Sequence, residues 1–237
     1  MGRMRSVSHA YPGDLTFRRA TEADVAAIVE LVESAYRGES SRAGWTTEAD
    51  LLAGRRTDAA AVGAALAALD SVVLLAQDPD GALLGCCHVE RRVEPPARSE
   101  HAATEVTDAT EVTRSGYATH GQADAERCGP DVSPLIGSYF GMFAVSPTRQ
   151  GNGLGDTLLR LAERHAVTAC SAAWTDLLVI AQRAELIAWY QRRGYVLTTR
   201  TSPFPYDDER FGRPLRPDLY FVVLRKRFGD RPGFSDR

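Results

Sequence analysis

The fold is decided by residues 143–159, FAVSPTRQGNGLGDTLL, in which glycines stand at positions 151, 153 and 155. These glycines lie where an apolar strand passes into a helix. Without side chains there, several backbone N–H groups can converge on one anion. The unsatisfied donors and the dipole of a helix N-terminus also favour a phosphate. The stretch therefore predicts a phosphate-binding turn.

Three kinds of phosphate-binding turn are rich in glycine, and their spacing separates them. A Walker loop ends in Gly-Lys-Ser/Thr, and residues 143–159 contain no lysine. A dinucleotide fingerprint is G-x-G-x-x-G in an early βαβ unit, whereas G-x-G-x-G occurs late in this chain. The spacing therefore counts against a nucleotide-dependent oxidoreductase.

The third kind of turn fits, and it carries a family resemblance. Residues 150–155, QGNGLG, match Gln/Arg-x-x-Gly-x-Gly/Ala, and the chain resembles the GNAT superfamily of N-acetyltransferases. Residues 184–195 resemble the family's second motif, a helix ending Tyr-x-x-x-Gly-aromatic, and residues 15–36 resemble its opening. One position departs from the family, which often has Asn seven residues before the motif's tyrosine, where this chain has Arg183.

Elements outside the motif predict a mixed α/β fold. Apolar spacing predicts a helix over residues 25–36 whose buried face includes Tyr36. Thr21 is its predicted cap, with Asp24 three residues later as a shorter-armed version of the capping box. Asp78-Pro79-Asp80-Gly81 predicts a hairpin turn between strands 72–76 and 83–92. Further predicted strands are 15–19, 135–145, 177–180, 195–200 and 219–225. A short helix is expected from Thr47 to Gly54, another after Asp58, and a third over 184–193. The resemblance implies the acyl-CoA N-acyltransferase (GNAT) fold, α/β with a central twisted mixed sheet flanked by helices that splays to admit the cofactor.

Composition divides the chain into one domain with appendages. We predict a flexible N-terminus over residues 1–14, a GNAT N-acetyltransferase domain over 15–228 and a flexible tail over 229–237. Residues 93–134 are rich in Pro, Ala, Thr, Glu, Gly and Asp and hold few large apolar side chains. Such a segment cannot bury enough apolar surface to offset its ordering entropy. We therefore predict a disordered insertion there, for which a functional lid is the alternative.

Charge and cysteine content exclude several classes of function. A net charge of −3 gives no basic surface for nucleic acid, and no apolar run is long enough to span a membrane. The four cysteines form no C-x-x-C pair and the five histidines have no metal-ligand spacing, so we expect reduced thiols, no metal and a cytoplasmic protein. Domains of the resembled family often pair, which leaves a homodimer open.

The resemblance implies acetyl-CoA as the co-substrate and assigns its contacts. Backbone groups of one strand would pair with the pantetheine arm, and amides of the following turn would hold the pyrophosphate. The implied cofactor-binding residues are Phe143, Ala144, Val145, Gln150, Gly151, Asn152, Gly153, Leu154, Gly155, Asp156 and Thr157. Arg149, beside the turn, could reach the adenosine phosphate.

The implied reaction is acyl transfer to an amine, which needs proton transfers. A base must deprotonate the acceptor, because an alkyl ammonium is not a nucleophile. The Val145 N–H is the candidate oxyanion donor, and Tyr190 matches the tyrosine that protonates the leaving thiolate. Glu90 is the candidate base, with His88 on the same strand face by period two and Tyr139 as a further cleft candidate.

The acceptor is predicted only by class, a primary amine of a small molecule or peptide that attacks directly in a ternary complex. Candidate acceptor-binding residues are Trp45, Tyr139, Tyr206 and Asp208, the last two in an acidic loop that could attract a cation. The alternative function is a non-catalytic acyl-CoA-binding sensor or regulatory module.

Overall fold

The computed structural model describes residues 15–94 and 135–229. Strands in these ranges are β1 (Thr16–Arg19), β2 (Leu52–Ala53), β3 (Ser71–Gln77), β4 (Leu83–Glu94), β5 (Leu135–Val145), β6 (Trp174–Ile180), β7 (Val196–Pro203), β8 (Arg213–Pro214) and β9 (Tyr220–Arg227). Helices are α1 (Val25–Tyr36), α2 (Gly38–Ser41), α3 (Ala59–Ala67), α4 (Leu154–Thr168) and α5 (Ala184–Gln191).

The predicted flexible segments fall almost wholly outside these ranges. The N-terminus 1–14 lies outside the described residues, as do 95–134 of the predicted insertion and 230–237 of the predicted tail. Val93 and Glu94, at the start of the predicted insertion, instead complete β4.

Seven strands form one mixed sheet in the order β1-β3-β4-β5-β6-β9-β7, and β2 pairs with β8 in a separate ribbon. The predicted hairpin between β3 and β4 is confirmed, with Gly81 at φ +84° in the connecting turn. The predicted mixed α/β fold is also confirmed, because β5 and β6 run parallel while β9 pairs antiparallel to both β6 and β7.

Both faces of the sheet are covered by helices. Cys87 and Val89 pack with α4 and α5, on the face that also receives Leu158 and Tyr190. On the other face, Cys86 packs against α1 and α3. Neighbouring residues of a strand point to opposite faces, so the two adjacent cysteines enter different halves of the core. Such double coverage accounts for the apolar runs in β3 and β6.

The sheet divides at its centre. Strands β5 and β6 pair only at Ser138–Thr175 and Tyr139–Asp176, although β5 continues to Val145. Met142 takes a positive φ of 42°, which is unusual for a residue with a side chain and distorts the strand just beyond the last pair. Strand β6 meanwhile stays paired with β9 from Trp174 to Ile180. The second half of β5 is therefore open on the β6 side, as the resemblance implied.

The helix predicted from Thr47 to Gly54 is wrong. The segment makes one turn, in which Leu51 and Leu52 donate N–H groups to the Glu48 carbonyl, and then enters β2. Glu48 is directed inward and buried, while Leu52 pairs with Pro214 in β8. Pairing with a strand distant in the sequence overrode the local capping pattern.

Helix α1 is anchored at its start by Asp24. The Asp24 carboxylate accepts the Thr21 N–H at 2.8 Å and pairs with Arg18 of β1 at 2.6 Å. The hydrogen bond from Arg18 holds the pKa of this carboxyl well below its ordinary value. The predicted capping pair of Thr21 and Asp24 is confirmed, with the strand arginine as an additional partner.

Replacing this carboxylate should destabilise the fold. Asp24→Ala is expected to lower the free energy of unfolding by about 1–2 kcal/mol at neutral pH, measured by urea denaturation. The folded carboxyl has a lowered pKa, so its contribution is present above about pH 4 and is lost as the pH falls below that value. The difference from wild type should therefore shrink in acid. Asp80→Ala, in the exposed hairpin turn, is the control and should change stability little at either pH.

Candidate active site

The glycine-rich turn leads directly into α4. Gly151 and Gly153 both have φ of 82°, and Gly153 is the residue immediately before the helix. A Cβ added to Gly151 would meet no heavy atom within 4 Å, so the backbone there borders open space. The first N–H groups of a helix have no intrahelical acceptor. The turn therefore presents main-chain donors and the positive helix end to one accessible spot.

Asp156, in the first turn of α4, does not leave this spot negatively charged. Its carboxylate pairs with Arg193 at 2.8 Å and with Arg160 at 2.6 Å. The Arg193 guanidinium also lies 3.6 Å from the centre of the Trp189 ring, which fixes its position. Two arginines that the sequence did not single out thus balance the acidic residue beside the turn.

In the open half of β5, the main-chain N–H and C=O groups of alternate residues point toward the gap on the β6 side. The Phe143 carbonyl accepts a hydrogen bond from the Tyr36 hydroxyl, and the Val145 carbonyl accepts one from the Gln150 amide at 3.0 Å. On the other side, the Ser146 N–H donates to Leu84 of β4. The N–H and C=O of one strand residue point the same way. The N–H groups of Phe143 and Val145 therefore face the gap, whereas the N–H and C=O groups of Ala144 face β4.

Gln150 ties the glycine-rich turn to the loop that follows α2. Its Oε1 accepts the Trp45 N–H at 2.9 Å, and its Nε2 donates to the Thr46 hydroxyl at 2.8 Å as well as to Val145. A Cβ on Gly44 would lie 2.6 Å from Gln150 Oε1, so only glycine allows this approach. The glutamine that begins the motif thus joins two segments through its side chain, in addition to its place in the turn.

Tyr190 of α5 lies beneath the gap, only 4% exposed. Its ring meets Phe140 of β5 edge-on at 6.5 Å and Trp189 at 5.0 Å. Burial raises the pKa of its hydroxyl well above the ordinary value, so the group stays protonated at neutral pH. Among the described residues no hydrogen-bond partner of this hydroxyl is found.

A buried charge cluster lies beside Tyr36 and centres on Glu48. The Glu48 carboxylate pairs with Arg37 at 2.6 Å, Arg183 at 2.9 Å and Arg56 at 3.5 Å. Burial alone would raise the pKa of Glu48, but Arg56, Arg183 and Arg37 outweigh it and hold that pKa below its ordinary value. Arg183 also donates to the Thr46 carbonyl at 2.7 Å. The residue that departs from the family motif thus joins α5 to the loop after α2.

The candidate bases lie at the point where the strands part. The Tyr139 ring meets His88 of β4 at 6.4 Å and lies 5.4 Å from the Arg92 guanidinium, which pairs with Glu90 at 3.0 Å. Burial raises the pKa of Tyr139, against the opposing effect of Arg56 and Arg92, and burial lowers the pKa of His88. The structure brings these groups together on one side of the gap.

Besides Tyr139, the proposed acceptor residues occupy two different places. Trp45 lies 6.3 Å from Trp189, and both line a groove of about 300 Å³ above α5. Tyr206 and Asp208 are bonded within their own loop. The Tyr206 hydroxyl donates to the Arg216 carbonyl and accepts the Leu219 N–H, while Asp208 pairs with Arg210 at 2.6 Å. The Tyr206 hydroxyl and the Asp208 carboxylate are therefore bonded to neighbouring residues of the loop itself.

Sequence reasoning missed three parts of the site. Tyr36 was assigned only to the buried face of α1, although its hydroxyl reaches β5. Glu48 and Arg56 carried no signal, because the cluster that they form also needs Arg183, which is 135 residues from Glu48. The one available hint was Arg183, the arginine at a position where the resembled family often has Asn.

Solved structures with the same fold are acetyltransferases by name. The chain is similar to Arabidopsis thaliana NAA60 solved with acetyl-CoA, at 14% identity and a TM-score of 0.55, covering 91% of this chain and 99% of that one. It is also similar to yncA, a putative acetyltransferase from Salmonella typhimurium solved with acetyl-CoA, at 17% identity, a TM-score of 0.53 and coverage of 94% and 99%. At these identities the likeness establishes an acyltransferase fold.

Part of the chain also matches a protein family by sequence. Residues 122–195 match the model of the acetyltransferase (GNAT) family, a range that includes β5, the glycine-rich turn, α4 and α5. A search of curated proteins finds no match. The match over residues 122–195 and the shared fold confirm the resemblance to the GNAT acetyltransferases that the sequence predicted.

Removing the carboxylate at the centre of the charge cluster should lower the free energy of unfolding strongly. Glu48→Ala leaves buried guanidinium groups without their counter-ion, so we expect a loss of about 3 kcal/mol or more in urea denaturation. Asp50→Ala is the matched control, because Asp50 pairs with Arg42 on the surface of the same segment and should cost no more than about 1 kcal/mol. Equal effects of the two substitutions would show that the cluster is not a structural centre.

Proposed function

We propose that this chain is an N-acetyltransferase that moves an acetyl group from acetyl-CoA to a primary amine of a small molecule or peptide. Transfer would occur by direct attack in a ternary complex. The observation that carries the proposal is the gap between β5 and β6, whose open main-chain groups lead straight to the glycine-rich turn of α4. A non-catalytic acyl-CoA-binding module is the alternative, and turnover separates the two.

The donor half of the site fits a pantetheine diphosphate. The backbone N–H groups of residues 150–156 would hold the pyrophosphate at the start of α4, where Gly151 leaves open space and the helix dipole favours an anion. Arg193 and Arg160 offset the Asp156 charge. Phe143 and Val145 would offer their N–H groups to the pantetheine arm, as a strand offers them to a neighbour. The bound co-substrate supplies a thioester whose acyl carbon is the electrophile.

The chain's own groups then meet the needs of acyl transfer. A main-chain N–H facing the gap would stabilise the oxyanion, with Val145 as the candidate and Phe143 on the same open side, closer to Tyr139. The Tyr190 hydroxyl is protonated at neutral pH and has no hydrogen-bond partner among the described residues, and it is the proposed proton donor to the departing thiolate.

The acceptor's proton would be taken by groups on β4 and β5 at the point where β5 and β6 part. Glu90 is the proposed base, acting with Tyr139 and His88 nearby. The lowered pKa of His88 keeps its imidazole neutral at pH 7, and its Nε2 lies 2.6 Å from the Ser71 hydroxyl. Positive charge from the arginines around Tyr139 also lowers the pKa of an incoming ammonium, which favours the neutral, nucleophilic amine.

The direct test combines binding and turnover. Isothermal titration calorimetry with coenzyme A should detect association, and thiol release from acetyl-CoA should depend on an added amine. Mass spectrometry of the acceptor should show the gain of one acetyl group. Folded protein that fails to bind coenzyme A at millimolar concentration would refute the proposal, whereas binding without transfer to any amine would support the non-catalytic alternative.

The glycine-rich turn should be sensitive to a single methyl group. Gly151→Ala places a Cβ in the space proposed for the pyrophosphate, so the Kd for coenzyme A should rise at least about tenfold, equivalent to about 1.4 kcal/mol. Gly81→Ala is matched, because Gly81 has nearly the same φ and an equally open surrounding. Both variants should lose about 1 kcal/mol or more of stability from backbone strain. Calorimetry should find that only the change at residue 151 weakens binding.

The role of Tyr190 can be separated from its packing. Tyr190→Phe keeps the buried ring and removes only the hydroxyl, so kcat should fall about a hundredfold while the Kd for coenzyme A stays unchanged. Tyr195→Phe is the control, since its buried ring packs edge-on against Tyr190 at 5.5 Å. That variant should retain wild-type kcat. A normal rate in Tyr190→Phe would remove this hydroxyl from the mechanism.

A further inference from the structure

One arginine of the Glu48 cluster lies farther from the carboxylate than the other two and is more exposed. Arg56 comes no closer to Glu48 than 3.5 Å, through Nε, and its side chain is 37% exposed. By contrast, Arg37 and Arg183 contact the same carboxylate at 2.6 and 2.9 Å and are almost wholly buried. Among the described residues neither Nη atom of Arg56 has a hydrogen-bond partner. Two parallel N–H donors are thus presented outside the ion cluster.

Arg56 lies near side chains that border the gap. Its guanidinium lies 5.6 Å from the centre of the Tyr36 ring, and the Tyr36 hydroxyl bonds the Phe143 carbonyl at the edge of the gap. Its charge also acts on Tyr139, whose pKa it lowers against the effect of burial. Arg56 therefore lies beside Tyr36 and near enough to Tyr139 for its charge to act on that hydroxyl.

The surrounding charges leave an excess of positive charge on this side. Four arginines (Arg37, Arg56, Arg92 and Arg183) face three glutamates (Glu33, Glu48 and Glu90). The Glu33 carboxylate is occupied by the N–H groups of Arg56 and Thr57, at 2.6 and 2.9 Å. A cationic acceptor would increase the excess, whereas an anionic group on the acceptor would balance it.

We propose that the acceptor is an amine that also carries a carboxylate, an amino-acid-type small molecule, and that Arg56 binds this carboxylate. The inference rests on the proposed function and adds the acceptor class to it. A guanidinium matches a carboxylate in a planar, two-donor arrangement that lysine cannot reproduce. Anchoring the acid on Arg56 offsets the cost of bringing an amine into positive surroundings, and those same surroundings favour its neutral form.

The test compares acid-bearing amines with the same amines after the acid is neutralised. Thiol release from acetyl-CoA is measured with the free amino acids, with their C-terminal amides, with a diamine and with a short peptide. At least one free amino acid should exceed its own amide about thirtyfold in kcat/KM. Arg56→Gln should raise the KM for that amino acid at least tenfold and leave its amide unaffected, with the Kd for coenzyme A unchanged.

Arg55→Gln is the matched control, because Arg55 is the exposed neighbour in the same loop. It should behave as wild type with every acceptor. Arg56→Lys keeps the charge and should recover only part of the lost affinity.

Three results would overturn the inference: equal use of acid and amide, preference for the diamine or the peptide, or an equal loss with acid and amide in Arg56→Gln. Coenzyme A binding without acetylation of any acid-bearing amine would also overturn it. Failure to bind coenzyme A at all is a different outcome, because it refutes the proposed function on which the inference rests.

Discussion

The structure depends on the loss of pairing between β5 and β6 beyond Tyr139. Main-chain N–H and C=O groups at the centre of a sheet normally bond to a neighbouring strand, and leaving them without partners costs free energy. The protein meets this cost for the carbonyls with side chains, the Tyr36 hydroxyl on Phe143 and the Gln150 amide on Val145. The N–H groups of the same two residues remain directed into the gap. A cleft with ordered donors results, bounded on both sides by covered sheet.

Around this cleft the protein separates two electrostatic tasks. At the start of α4, main-chain donors and the helix end attract an anion, while Asp156 is neutralised by Arg193 and Arg160. At the other end, near Tyr139, the charge comes from side chains gathered around the buried Glu48. A buried carboxylate that holds several guanidinium groups fixes them in place at a desolvation cost, and this cost is acceptable where positioned charge is needed. Within residues 15–94 and 135–229 no helix is long and apolar enough to cross a bilayer.

How much was predictable depended on how local the signal was. The glycine-rich turn, the β3–β4 hairpin, α1 with Asp24 and the end of α5 at Gly194 were predicted because each is specified by a few adjacent residues. The β2–β8 ribbon was not, since Leu52 and Pro214 pair across most of the chain and no local pattern records it. The same reason hid the pairing of Glu48 with Arg183. Arg183 was noticed as a departure from a motif, but its partner could be known only from the fold.

The threefold bonding of the Gln150 side chain has a consequence for how the protein meets its two substrates. The carbonyl of Val145 is held by an amide that at the same time holds Trp45 and Thr46. A bound pantetheine arm that donated a hydrogen bond to this carbonyl would displace the Gln150 amide. The segment around Trp45 would then lose contacts that hold it in place. Occupancy of one half of the cleft and order in the other half are therefore thermodynamically linked through a single side chain, and by reciprocity an acceptor that immobilises Trp45 changes the affinity for the donor by the same factor.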